Sequence, residues 1–265
     1  MSDYRSRDWT GLTLQIDGHT AIVTLANPPA NTWTVDSLAD LRDLVLALNA
    51  DRDIWALVIT GEGEKFFSAG ADLKQFAEGD KAQAREAARR FGEAFETLSG
   101  FRGVSIAAIN GYAMGGGLEC ALACDLRIAE EQAQMALPEA SVGLLPCAGG
   151  TQNLTRLAGE GWAKRMILLG ERIDAATALR IGVVEEVVGK GQALATAREW
   201  AARAGKQSPM AVASCKVLVQ ATRSQSHAFG LITERELFVD LFDSADQAEG
   251  VNAFLEKRAP QWKNQ

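Results

Sequence analysis

Hydrophobic positions change period along this chain, and the changes mark its elements. "LTLQI" alternates apolar and polar residues, "TAIVTL" follows after Asp17-Gly18, and the pair predicts a hairpin closed by a tight turn. Pro28 and Pro29 end that unit. From Thr34, which suits an N-cap, residues Val35, Leu38, Leu41, Val45 and Leu48 recur at helical spacing. "IWALVIT" is then a continuous apolar run, the pattern of a strand buried on both faces. Ala84, Ala88, Phe91, Phe95 and Leu98 mark a second amphipathic helix, "VSIAAIN" a second buried strand, and "DLRIAE" and "VVEEVV" shorter later strands.

Alternation of strands and helices predicts an α/β fold with a mostly parallel sheet. Beyond about Gln192 the pattern is helical only, with segments at 193–204, 209–221 and 231–257. No linker or fixed-period repeat interrupts the chain, so the expected organisation is one body with a helical extension.

Composition narrows the function classes. The 265 residues are 47% hydrophobic and 23% charged, ordinary for a globular protein. A net charge of -7 without a clustered basic surface argues against nucleic acid as a partner. No apolar run has the length of a membrane span, and "MSDYRSRDWTG" lacks the apolar stretch of a signal peptide. Cys120, Cys124, Cys147 and Cys215 have neither CxxC spacing nor neighbouring histidines, so reduced thiols in a cytoplasmic protein are expected, with no metal. His19 and His227 are the only histidines and suit neither a triad nor a multi-histidine metal site. The glycines match neither GxGxxG nor the phosphate loop.

"GYAMGGGLECALACDL" sets three glycines two positions before one acid, Glu119, at the head of an apolar helix. Packing alone explains tight glycines, and an acid in a first helical turn is ordinary. Yet bare N–H groups at a helix N-terminus are also what a developing oxyanion needs. "FFSAGADLKQF" repeats the strand-turn-helix sense and offers Ala71 as a second N–H donor, with Ser68 or Asp72 as an ordinary helix cap otherwise. "ALPEASVGLLPCAGGTQNL" places Glu139 after Pro138 in a proline- and glycine-rich loop of the kind that carries function.

Taken together, "FSAGADLK", "NGYAMGGGLECALACDLRIA" and "LPEASVGLLPCAGGTQNLTRLAG" resemble the signature segments of the enoyl-CoA hydratase (crotonase) family, over about residues 12–258. The resemblance implies a crotonase-like spiral of β-β-α units over 1–191 and a helical C-terminal trimerisation region over 192–265. It implies homotrimers, commonly paired into homohexamers. Ala71 and Gly116 match the oxyanion-hole donors for the thioester carbonyl, and Glu119 and Glu139 match the two catalytic glutamates. Ala30, Ala69, Asp72, Leu73, Phe254 and Lys257 match positions along the substrate and CoA path, the last two reaching a neighbouring subunit's CoA.

The implied reaction is addition of water to a trans-2-enoyl-CoA to give a 3-hydroxyacyl-CoA, with CoA part of the substrate and no separate cofactor. Enoyl-CoA isomerisation or another crotonase-type acyl-CoA reaction is the alternative within the fold; a non-catalytic CoA-binding or RNA-binding assembly protein is the alternative of another class. In "NPPANTWTV" the chain departs from the family pattern: no basic residue precedes Ala30, and Trp33 stands in the segment that approaches the cleft. The wall of the acyl pocket is expected between Leu73 and Phe101, from Phe76, Phe91 and Phe95.

Overall fold

A computed structural model describes residues 4–265, so residues 1–3 of the expected core lie outside the described residues. Strands β1 (Leu12–Asp17) and β2 (Thr20–Leu25) form the antiparallel hairpin, with Asp17 opposite Thr20 and Gly18 at a positive φ of 56° in the turn. Thr34 and Ser37 form a reciprocal capping box that starts α1 (Val35–Ala50).

Three successive units then share one plan. β3 (Ala56–Gly61) leads to β4 (Phe66–Ser68) and α2 (Lys81–Ser99). β5 (Val104–Ile109) leads to β6 (Tyr112–Met114) and α3 (Gly116–Ala123). β7 (Leu126–Glu130) leads to β8 (Gln134–Ala136) and α4 (Gly150–Leu168), after which come β9 (Ile173–Asp174), α5 (Ala175–Arg180) and β10 (Glu186–Val188). The first strand of each unit joins a six-stranded sheet of order β1-β2-β3-β5-β7-β10, and the second joins a four-stranded sheet of order β4-β6-β8-β9. From β2 through β10 the large sheet is parallel, as are β4, β6 and β8 in the small one. This is the β-β-α spiral.

The small sheet leaves no mark in the hydrophobic pattern: at three residues β4, β6 and β8 are too short to display a period, and only the family resemblance implies a second strand in each unit. "VVEEVV" is a strand only over Glu186–Val188.

One face of the large sheet packs on α1, α2 and α3 through Leu41, Leu48, Ile59, Phe95 and Leu118. The other face is covered by α6 (Ala193–Ala204), whose Ala193, Ala197 and Ala201 meet Ile22, Val58, Ile106 and Ile128. Lys216 on α7 (Pro209–Ala221) binds Asp125 at 2.6 Å and holds that helix to the body. The segment expected at 231–257 is two helices, α8 (His227–Asp240) and α9 (Ala245–Leu255), because Ser244 accepts the N–H of Gln247 and starts a new helix. Among the described residues no helix is long and apolar enough to cross a membrane.

Candidate active site

The three short parallel strands deliver their following residues to one place. Ala71 follows β4, Gly116 follows β6 and Glu139 follows β8, and since these strands are neighbours in parallel, their C-terminal ends share one edge. A cavity of about 530 Å³ opens there, lined by Ala71, Gly116, Glu119 and Glu139 among others.

Ala71 is held by a parallel bridge to Trp33: Trp33 donates to the Gly70 carbonyl at 2.8 Å, and Asp72 donates to the Trp33 carbonyl at 3.1 Å. In such a bridge the N–H of the middle residue points away from the partner, so Ala71 presents its N–H to the cavity side. Gly116 is the first residue of α3, where N–H groups have no intrahelical acceptor and the dipole favours negative charge.

Each of the three glycines has its own reason. Gly115 has a positive φ of 51°, and a side chain there would come within 3.1 Å of Glu139 Oε1. On Gly116 it would come within 2.8 Å of the Phe91 ring, and on Gly117 within 2.2 Å of the Ser68 carbonyl oxygen. Packing alone therefore requires bare backbone at these positions, and the same bareness leaves the N–H of Gly116 uncovered at the start of α3.

Glu119 is only 2% exposed. Its Oε1 accepts the main-chain N–H of Ala148 at 2.8 Å and of Gly150 at 2.9 Å. Burial raises its pKa, while these two donors pull it back down. Glu139 begins a 3-10 turn after Pro138, and its Oε2 is buried without a partner among the described residues. Burial is the main cause that pushes its pKa up to about 7, and the charge of Glu119 adds to it. The two acids thus sit in unlike surroundings, one with two donors and one with an orphan oxygen.

Ala69 and Leu73 line the cavity, and the Ala30 carbonyl accepts the Ala69 N–H at 2.9 Å behind it. Asp72 does not line it: its carboxylate caps the 3-10 turn Leu73–Phe76 by accepting the Lys74 N–H at 3.1 Å, the ordinary capping role. Phe254 and Lys257 lie at the exposed end of α9, outside this cavity, with Phe254 83% exposed. Phe76 and Phe91 line the cavity as expected, whereas Phe95 and Trp33 stand behind it in the core.

Cys147 was missed by the sequence reading. It lines the cavity on the loop that also supplies the Ala148 N–H; although the residue as a whole is exposed, partial desolvation of its thiol, with the charges of Glu119 and Glu139, pushes it up to about 11. Such a thiol stays protonated and acts as a small apolar wall. His19 stacks on Trp55 at a ring distance of 3.5 Å, and His227 starts α8; neither meets the cavity. Among the described residues no three of His, Cys, Asp or Glu gather as metal ligands.

Comparison with known proteins identifies the family. The family model described as Enoyl-CoA hydratase/isomerase matches residues 15–265. A short-chain-enoyl-CoA hydratase of Clostridium acetobutylicum is 36% identical, over 92% of this chain and 94% of its own length. A solved structure of Pseudomonas aeruginosa DspI superposes with a TM-score of 0.95 at 66% identity, covering 97% of this chain and 99% of that one. The crystal structure of an enoyl-CoA hydratase from Bacillus anthracis gives a TM-score of 0.92 at 35% identity, covering 96% and 100%. The chain belongs to the enoyl-CoA hydratase/isomerase family.

Proposed function

We propose that this family member adds water across the 2,3-double bond of a trans-2-enoyl-CoA to give a 3-hydroxyacyl-CoA. The observation that carries the reading is the facing of two unclaimed N–H groups and two unlike carboxyl groups into one cavity. The thioester carbonyl oxygen sits between the N–H groups of Ala71 and Gly116. Charge drawn onto that oxygen makes C3 electrophilic, and donors already fixed in place stabilise the enolate without reorganising.

Glu119, whose Oε1 accepts two N–H groups, takes a proton from water as the water oxygen bonds to C3. Glu139, with a pKa near 7 and no donor on Oε2, carries the proton that goes to C2. One carboxyl gains a proton and the other loses one, so a single proton exchange resets the pair. CoA enters with the substrate, and no metal or redox step is needed.

Purified protein mixed with crotonyl-CoA and then with longer 2-enoyl-CoAs tests this by loss of the conjugated thioester absorbance. Loss dependent on both glutamates, with 3-hydroxyacyl-CoA as product, supports hydration. Binding without turnover at any chain length removes the water-adding role.

Glu139 also suits a second reading. A carboxyl poised near neutrality moves a proton without any water, which is the step an enoyl-CoA isomerase needs. Incubation with a 3-enoyl-CoA and identification of the product separates the two.

For assembly, a homotrimer, or two trimers paired, is the reading we favour. Phe229, Ile232, Phe238, Val239 and Phe242 are each more than half exposed around α8, and a helix that buries none of its own residues within the chain is suited to a partner. The same reading places the protein in the cytoplasm.

A further inference from the structure

We propose that the indole of Trp33 is a positioning group that supports the oxyanion hole from behind, coupling the Ala71 donor to the Gly116 donor. This rests on the oxyanion-hole reading above and deepens it by adding a residue that never touches the substrate.

The backbone of Trp33 reaches one donor and its side chain reaches toward the other. Its backbone brackets Ala71, accepting from Asp72 and donating to Gly70. Its side chain runs into the core, where it is 2% exposed and does not line the cavity. There its Cδ1 lies 3.6 Å from the point that a side chain on Gly116 would occupy, beside the Phe91 ring. Phe95 closes the platform, edge-on to Trp33 at 5.6 Å and to Phe91 at 5.7 Å. Three interlocked rings therefore lie under the first turn of α3, and one of them is carried by the residue bridged to Ala71.

Stability alone does not account for an indole here. Nε1 of Trp33 is buried with no acceptor among the described residues, and an unmet buried donor is unfavourable. Phenylalanine or leucine would fill apolar space without that penalty. What they lack is the reach from the Ala71 bridge to Gly116. Two N–H groups share one oxygen only while their spacing is held, and close-packed rings transmit a fixed spacing because a core has no slack.

The test uses the whole protein and a conjugated aryl-enoyl-CoA, whose absorption moves to the red when its carbonyl is polarised. Beside the unchanged protein run Trp33→Leu and Trp33→Phe, reading the red shift of the bound probe, kcat and KM for a 2-enoyl-CoA, Kd for a saturated acyl-CoA, and thermal unfolding. In Trp33→Leu, kcat is expected to fall about tenfold or more, short of the 10²–10³ for outright loss of a donor, with a diminished red shift and an unchanged Kd. Trp33→Phe, which keeps a ring but not the reach to Gly116, is expected to lose red shift and kcat in the same direction by a smaller amount; if Trp33→Leu does not fold, Trp33→Phe against the unchanged protein decides on the same readouts. Full red shift and full kcat in the variants overturn the proposal. So does a loss of red shift only in step with Kd and unfolding temperature, which is what a filler residue gives. If the unchanged protein itself neither shifts the probe nor turns over, the oxyanion-hole reading has failed and this proposal falls with it.

Discussion

Gly150 donates its main-chain N–H to Glu119 Oε1 at 2.9 Å, and a side chain on Gly150 would fall 2.9 Å from that same oxygen. Hydrogen bond and steric limit thus fix one atom from one residue. Gly150→Ala should displace the carboxylate without removing it. A misplaced catalytic group loses up to about 10²-fold, so kcat should drop by about tenfold or more with KM little changed. Steady-state kinetics on a 2-enoyl-CoA checks this, and an unchanged kcat would show that the position of Glu119 is not limiting.

Glu119→Gln and Glu139→Gln should each lower turnover by about 10²–10⁴-fold, the usual contribution of a positioned acid or base. Binding of a saturated acyl-CoA, measured by calorimetry, should persist in both because neither group is assigned to holding the thioester.

Their effects on stability should differ with pH. A carboxyl raised to about 7 in the fold is neutral at pH 5 and charged at pH 8, where its buried Oε2 has no donor. Its contribution to stability is present at low pH and lost as pH rises through 7. Glu139→Gln removes that late penalty, so its unfolding temperature should exceed that of the parent at pH 8 and match it at pH 5. Thermal melts at the two values decide.

The same group should set the pH profile of the proposed hydration. If Glu139 must carry the proton for C2, kcat/KM should decline above about pH 7, approaching tenfold per unit. In Glu139→Gln that limb should disappear together with most of the rate. A profile flat to pH 9 in the parent would assign the donor elsewhere.

Gly117→Ala tests the packing half of the glycine run. Its added carbon would meet the Ser68 carbonyl oxygen at 2.2 Å, in backbone that cannot swing aside. Overpacking of this kind costs about 1–3 kcal/mol or more, readable as an earlier denaturation midpoint.

Much was legible because local chemistry leaves local marks. Thr34 as a cap, the Asp17-Gly18 turn, the buried strands at 54–60 and 104–110 and the helix carrying Phe91 each declare themselves within a few residues. The long signature segments named the family, and through it Ala71, Gly116, Glu119 and Glu139 as one constellation. What escaped were elements and contacts without a local signal. The strands of the small sheet are three residues or fewer, and Cys147 looks like any loop cysteine until the loop closes over Glu119.

By itself, then, the sequence determined which elements form, where they cap and turn, and which residue types are on hand for an acyl-CoA reaction. Those properties depend on propensity, periodicity and motif, all of which act along the chain. Tertiary structure alone decided that the turns after β4, β6 and β8 meet at one edge, that two N–H groups reach Glu119 and none reaches Glu139 Oε2, and that Trp33 stands behind the cavity instead of in it. Those outcomes follow from burial and from distances between residues far apart in sequence, and two main-chain N–H groups on Glu119, with none on Glu139 Oε2, give two glutamates of identical intrinsic chemistry unlike surroundings.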